Sequence, residues 1–182
     1  MKIAVFCASS TAVSKENLNL GFELGEEIAR GGHDLVWGGG AISVMGEVAR
    51  GARSRNGRTI GVIPERLSNV EFIDKEADEL LIVRDMRERK GKIEELSDGF
   101  IALPGGIGTL EELLEIWVGR YLGFHRKPIA ILDPAGVYGS LRRALDDLTD
   151  QNFMKPGQHE QVKWCDEISA AIDHLVMQEK NS

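Results

Sequence analysis

Short apolar runs alternate with amphipathic stretches along the whole chain, and few folds accept that alternation. The runs are residues 2–7 (KIAVFC), 33–37 (HDLVW), 58–63 (RTIGVI), 79–83 (ELLIV), 99–103 (GFIAL), 128–132 (PIAIL) and 161–165 (QVKWC). Each has strand length, and most are bounded by Gly, Pro or small polar residues, so they predict buried strands. Between them apolar residues recur at helical spacing, as at Leu18, Phe22, Leu24 and Ile28. Ser14 reads as the N-cap of that helix and Gly31-Gly32 as its stop. Ser43 can cap the next helix, which ends near Asn56-Gly57. Further helices are expected from Asp85 to about Leu96, from Thr109 to about Tyr121, over 137–149 and over 168–177. Residues 65–78 read as a loop with one short turn. Strand–helix repetition implies parallel pairing with right-handed crossovers. Strands that are apolar throughout imply cover on both faces. The expected fold is a single doubly wound, Rossmann-like α/β domain spanning residues 1–182, with a mostly parallel central sheet and helices on both faces. The strand over 99–103 is expected beside the strand that precedes it.

At 182 residues the chain has the size of one domain and can bury a full core without disulfides. Its 22 basic and 29 acidic side chains give a net charge of −7, which argues against a nucleic-acid or acidic-membrane binder. Cys7 and Cys165 are too few and too far apart for a metal site or a disulfide framework, and read as buried thiols. The apolar start is too short for a signal peptide, and no stretch approaches about 20 apolar residues. The expectation is a soluble, cytoplasmic protein with no membrane partner.

Ligands of doubly wound sheets bind beyond the carboxyl ends of the strands, so the residues after each strand carry the functional information. The chain has 21 glycines, well above the usual proportion of about 7%. Two clusters follow strands and open helices: Gly38-Gly39-Gly40, and Gly105-Gly106-Ile107-Gly108-Thr109. A helix N-terminus presents unpaired N–H groups and a positive dipole end, and glycine lets a phosphate come within bonding distance of the backbone. Neither cluster is a dinucleotide fingerprint, because Cys7-Ala8-Ser9-Ser10 after the first strand holds no glycine. Neither is a Walker loop, because no Gly-Lys-Ser/Thr follows. One phosphate group held by the loop 105–109 fits better; tight turns alone would also account for the glycines.

Charged residues flank that loop. Thr109-Leu110-Glu111-Glu112 has the form of a capping box, with Thr109 as N-cap and Glu112 at the third helical position. The same glutamate would sit one turn from a phosphate in the loop. Asp85-Met86-Arg87-Glu88 repeats the pattern and is followed at once by Arg89 and Lys90. Cations in a first helical turn oppose the dipole, and such local misfits concentrate at functional sites. The alternative is a solvated basic face of Arg84, Arg87, Arg89, Lys90 and Lys92. Arg89 and Glu112 could face one crevice.

These residues resemble the LONELY GUY family of cytokinin-activating enzymes, once commonly labelled lysine decarboxylases. The segment 104–112 matches P-G-G-x-G-T-x-x-E, and 86–90 matches M-x-x-R-K, with Arg89 lying 23 positions before Glu112. Trp37-Gly38-Gly39-Gly40 is similar to the family's aromatic-G-G-G, and Gly61-Val62-Ile63-Pro64 also fits; the likeness covers roughly residues 2–135. The resemblance implies a phosphoribohydrolase without metal or other cofactor, dimeric in its shorter form. Its substrate class would be an N6-modified adenosine 5′-monophosphate, or AMP, cleaved to free base and ribose 5-phosphate. Carried over by position, Arg89 and Glu112 form the catalytic pair. Lys90, Gly105, Gly106, Ile107, Gly108, Thr109 and Glu111 hold the nucleotide, together with Gly39, Gly40 and Glu71. Ile93 replaces a methionine of similar volume. Val118 stands where threonine is common, which touches substrate preference, and Trp37 replaces a tyrosine.

A carboxylate beside the ribose suits this reaction, because N-glycosidic cleavage passes through an electron-poor, oxocarbenium-like sugar. The decarboxylase label requires a Schiff-base lysine for pyridoxal phosphate, and nothing in the sequence marks one. Two other readings stand beside the enzyme: a nucleotide carrier or sensor without turnover, and a broad purine-monophosphate nucleosidase.

Overall fold

In the computed structural model, which describes residues 1–68, 73–155 and 157–180, all seven apolar runs are strands of one sheet. They are β1 (Lys2–Phe6), β2 (Asp34–Trp37), β3 (Thr59–Pro64), β4 (Glu79–Val83), β5 (Gly99–Ala102), β6 (Ile129–Leu132) and β7 (Val162–Cys165). Every pairing is parallel, in the order β4-β3-β2-β1-β5-β6-β7. The helices are α1 (Lys15–Arg30), α2 (Ser43–Ser54), α3 (Glu65–Ser68), α4 (Met86–Leu96), α5 (Ile107–Tyr121), α6 (Gly139–Asp150) and α7 (Ile168–Glu179).

Period-two alternation sends successive strand residues to two cores. Ile3, Val5, Leu35, Trp37 and Ile101 meet α1, α2 and α7 on one face. Ala4, Phe6, Val36, Phe100 and Ile129 meet α4, α5 and α6 on the other. Burial on both faces explains why these strands are apolar throughout. Part of the glycine excess serves packing. A methyl group added at Gly25 of α1 would lie 2.0 Å from Val48 O, and one at Gly51 of α2 would lie 1.9 Å from Phe22 O. The two helices therefore cross backbone against backbone.

Two expectations need correction. β5 pairs with β1, in register Ile3↔Gly99 to Phe6↔Ala102, and not with β4. β4 is an edge strand with Ile82 exposed, whereas β1 and β5 are buried on both sides and take the centre. Ser43 does not cap α2: Ile42 is the N-cap, and Ser43 is the first helical residue, at φ +55. Its hydroxyl instead donates to Ser10 O at 2.5 Å, tying the loop after β1 to the start of α2. Within residues 65–78 the described part holds α3 and one antiparallel bridge, Gly40↔Ile73.

Candidate active site

Winding runs outward from β1 to β4 and then resumes on the other side of β1 with β5. The chain thus diverges at the carboxyl ends of β1 and β5, where doubly wound sheets hold their ligands. A cavity of about 550 Å³ opens there. Its walls come from the segment after β1 (Cys7 to Ser10), from Gly38 and Gly40 after β2, from Ile42 and Met45 at α2, from Met86 and Arg89 of α4, and from α5.

Arg89 and Glu112 meet in this cavity. Asp85 is the N-cap of α4, accepting hydrogen bonds from Arg87 N and Glu88 N at 2.9 Å each. Glu88 reaches back to accept from Arg84 N at 2.7 Å. That fixed first turn aims Arg89 inward. Its Nε donates to Val62 O at 3.0 Å, and its Nη1 donates to Glu112 Oε1 at 2.8 Å. The side chains are 12% and 13% exposed, so water screens the pair poorly. Burial pushes the Glu112 carboxyl above its ordinary value, and the Arg89 guanidinium only partly opposes this. The Cys7 thiol beside them is pushed far up, first by burial and then by the Glu112 charge.

α5 begins earlier than the T-x-x-E pattern implies. Gly106 is the N-cap, with extended backbone and no side-chain cap, and Leu110 N already donates to Gly106 O at 3.1 Å. Thr109 is therefore inside the first turn, and Glu112 is free of capping and committed to Arg89. The first turn of α5 carries no acidic residue, so its amides and dipole are left for an anion. Gly106, Ile107, Gly108, Thr109 and Glu111 all line the cavity.

The remaining expected positions divide. Gly40 lines the cavity. Gly39 is at φ +74 and packs toward Ile63 and Leu80 of the sheet. Gly105 lies behind the lining, its N–H donated to the Tyr138 hydroxyl at 2.7 Å. Lys90 turns to the outer side of α5, where it pairs with Glu111 and, at 2.6 Å, with Glu115, and both raise its pKa. Glu71 lies outside the described residues. Arg84 and Arg87 are exposed, so the basic face is limited to those that do not turn inward.

Sequence reasoning missed the brace behind the glycine loop. Tyr138 stands between Leu103 O and Gly105 O, 3.2 Å from each, while accepting from Gly105 N. Burial pushes its hydroxyl up to about 12, so it stays a donor. Asp133 holds it there by accepting from Val137 N and Tyr138 N at 2.9 and 2.8 Å. An aspartate directly after a strand was the available signal for that turn; nothing marked the tyrosine.

The family model described as "Possible lysine decarboxylase" matches residues 45–175. A cytokinin riboside 5′-monophosphate phosphoribohydrolase of Mycobacterium tuberculosis is 45% identical over 170 residues, covering 93% of this chain and 90% of that protein. The chain belongs to the LONELY GUY family. The relative of that activity named LOG7, from Arabidopsis thaliana, is 39% identical over 155 residues, 85% of this chain and 71% of its own. Among solved structures, the Moco carrier protein from Chlamydomonas reinhardtii superposes with a TM-score of 0.74 at 22% identity, over 100% of this chain and 98% of that one. That likeness establishes the shared fold. The LONELY GUY cavity does not fit the decarboxylase wording of the family model. No lysine is among the described residues lining it, and the nearby Lys90 is held by two glutamates. A pyridoxal phosphate aldehyde would find no amine there.

Proposed function

We propose that this LONELY GUY chain hydrolyses the N-glycosidic bond of N6-modified adenosine 5′-monophosphates, or of AMP, releasing free base and ribose 5-phosphate. The observation that carries this is the Arg89–Glu112 pair one turn beyond an uncapped helix N-terminus, in one cavity. The 5′-phosphate accepts hydrogen bonds from the amides at the start of α5, along Gly106, Ile107, Gly108 and Thr109. The ribose then lies beside Glu112. As the bond from C1′ to the base breaks, positive charge grows on the sugar, and the adjacent carboxylate stabilises it. Water adds its oxygen to C1′, while the base leaves with the bonding electron pair and takes up a proton. Arg89 orients Glu112 and contacts the nucleotide. The apolar wall of Ile42, Met45 and Met86 suits a base carrying an apolar N6 group. Names of relatives at 39–45% identity support the same reaction.

The reading is tested by incubating the protein with AMP and isopentenyl-AMP and measuring free base and ribose 5-phosphate. Binding without either product would make the chain a carrier. The phosphate is remote binding energy, so the corresponding nucleoside is expected to be a far poorer substrate.

We place the protein in the cytoplasm and assign it a homodimeric state. Both cysteines are free thiols, as in a reducing compartment, and no described helix is long and apolar enough to cross a membrane. Support for the dimer is the outward face of α5 and the turn after it. Ile107 is 87% exposed and Phe124 78%, and Leu114, Val118 and Leu122 are exposed as well; apolar side chains grouped on an exposed face suit a protein contact.

A further inference from the structure

We infer that Gly38 is a positioning residue for the reaction: the space its missing side chain leaves is filled by the Arg89 guanidinium, which is thereby held against Glu112. The inference rests on the reading that this pair carries the chemistry. A Cβ at Gly38 would lie 1.8 Å from Arg89 Nη2 and 3.0 Å from Arg89 Cζ. The slot is therefore occupied by the arginine tip itself. The next atom, Met45 Sδ at 3.5 Å, would be in ordinary contact and demands no glycine.

The guanidinium is fixed at three points. Nε donates to the β3 carbonyl of Val62, Nη1 donates to Glu112, and Nη2 sits against Gly38. Among the described residues Nη2 has no hydrogen-bond acceptor, and both Gly38 and Arg89 line the cavity. Nη2 therefore keeps its N–H groups for a ligand. Gly38 does not have a positive φ, unlike Gly39, so its backbone alone does not require glycine. The first glycine of the cluster thus serves an arginine 51 positions later, and not a phosphate.

Alanine at this position adopts the backbone without strain and clashes only with the flexible end of Arg89. The guanidinium must swing away, and Glu112 loses its partner; the other charges acting on Glu112, those of Glu111 and Lys90, and the Cys7 thiol on which Glu112 itself acts, stay in place. The test compares wild type, Gly38→Ala, Arg89→Ala and the double variant, by urea unfolding and by kcat/KM on AMP and isopentenyl-AMP. Gly38→Ala is expected to lower kcat/KM about 100-fold, the scale of a displacement near 1 Å in a catalytic group. The acid limb of its pH profile is expected to move to higher pH, because Glu112 is left without the guanidinium. In the Arg89→Ala background Gly38→Ala should cost neither further activity nor further stability, since the methyl enters vacated space. Wild-type activity of Gly38→Ala, or stability losses that add, would overturn the inference. Should Gly38→Ala alone not fold, recovery of folding in the double variant supports it and continued failure overturns it. If wild type turns over neither nucleotide, the functional reading falls, and the stability coupling still decides whether Gly38 houses Arg89.

Discussion

Glu112 is buried enough to resist ionisation, yet it faces a guanidinium that favours it. Because burial dominates, its carboxyl titrates above the ordinary carboxylate range. If the ionised form is the active one, activity falls on the acid side through that raised value, and a kcat/KM profile should show its acid limb above that of an exposed glutamate. Stability responds to pH in the opposite sense. A raised folded pKa stabilises below the unfolded value and ceases to do so as pH rises through the folded value. Glu112→Gln removes the buried titratable carboxyl while keeping an oxygen for Arg89 Nη1. We expect it to fold cooperatively and to lose about 100- to 10,000-fold in kcat, as for loss of an acid–base group. Unfolding, or normal turnover, would remove Glu112 from the chemistry. At this scale the sequence was partly legible. The Asp85 cap was readable from its D-x-x-E frame; Arg89 and Glu112 do meet, but the adjacency of β4 and β5 behind the expected shared crevice does not hold. The role of Thr109 was not readable. Its T-x-x-E frame satisfies the capping rule, but Gly106 enters the helix first, and a pattern cannot report where the first backbone hydrogen bond closes.

α5 is the element on which the site depends, and its start is set from outside itself. Tyr138, held by Asp133, clamps the glycine loop through Gly105 N–H and the flanking carbonyls. Tyr138→Phe keeps the ring in the core and deletes this brace. The expected cost is about 0.5–1.5 kcal/mol of stability in urea unfolding, with a raised KM for the 5′-monophosphate and little change for the nucleoside. A KM that rises equally for both would mean that the loop does not hold the phosphate. The α1–α2 crossing gives a second expectation. Gly25→Ala forces a methyl against the Val48 carbonyl, so it should cost about 1–3 kcal/mol, without altering kcat of the protein that remains folded. Elements were the most legible scale. All seven strands lie where the apolar runs are: burial on both faces leaves a continuous signal in β1, β2, β3, β5 and β6, while the edge strands β4 and β7 are only partly buried. What sequence could not separate was one use of glycine from another: Gly25 and Gly51 let helices touch, Gly39 turns the chain, and Gly38 makes room for an arginine.

The order β4-β3-β2-β1-β5-β6-β7 brings α4 and α5 to one crevice although β4 and β5 lie three strands apart. α4 itself packs over β3, β2 and β1 on its way to β5, so Arg89 needs only its side chain to reach Glu112, with Val62 O as a support. Strand order was the weakest part of the sequence reading, since every crossover in an α/β chain has much the same local pattern. The same geometry links the site to the molecular surface. Ile107 and Glu111 line the Arg89–Glu112 cavity and also an outer groove with Leu110, Leu114, Val118 and Phe124. A second copy seated on that groove would therefore wall the cavity, and the assigned dimer should affect turnover as well as mass. Val118 and Phe124 contribute only to the outer groove. Replacing both by aspartate is expected to leave a folded monomer, because each is at least half exposed and neither supports the core. Light scattering should show the halved mass, and kcat/KM should fall with it, since Ile107 and the first turn of α5 would face bulk water. A variant of unchanged mass would remove this face from the interface. A monomer with full activity would show that the cavity is complete within one chain.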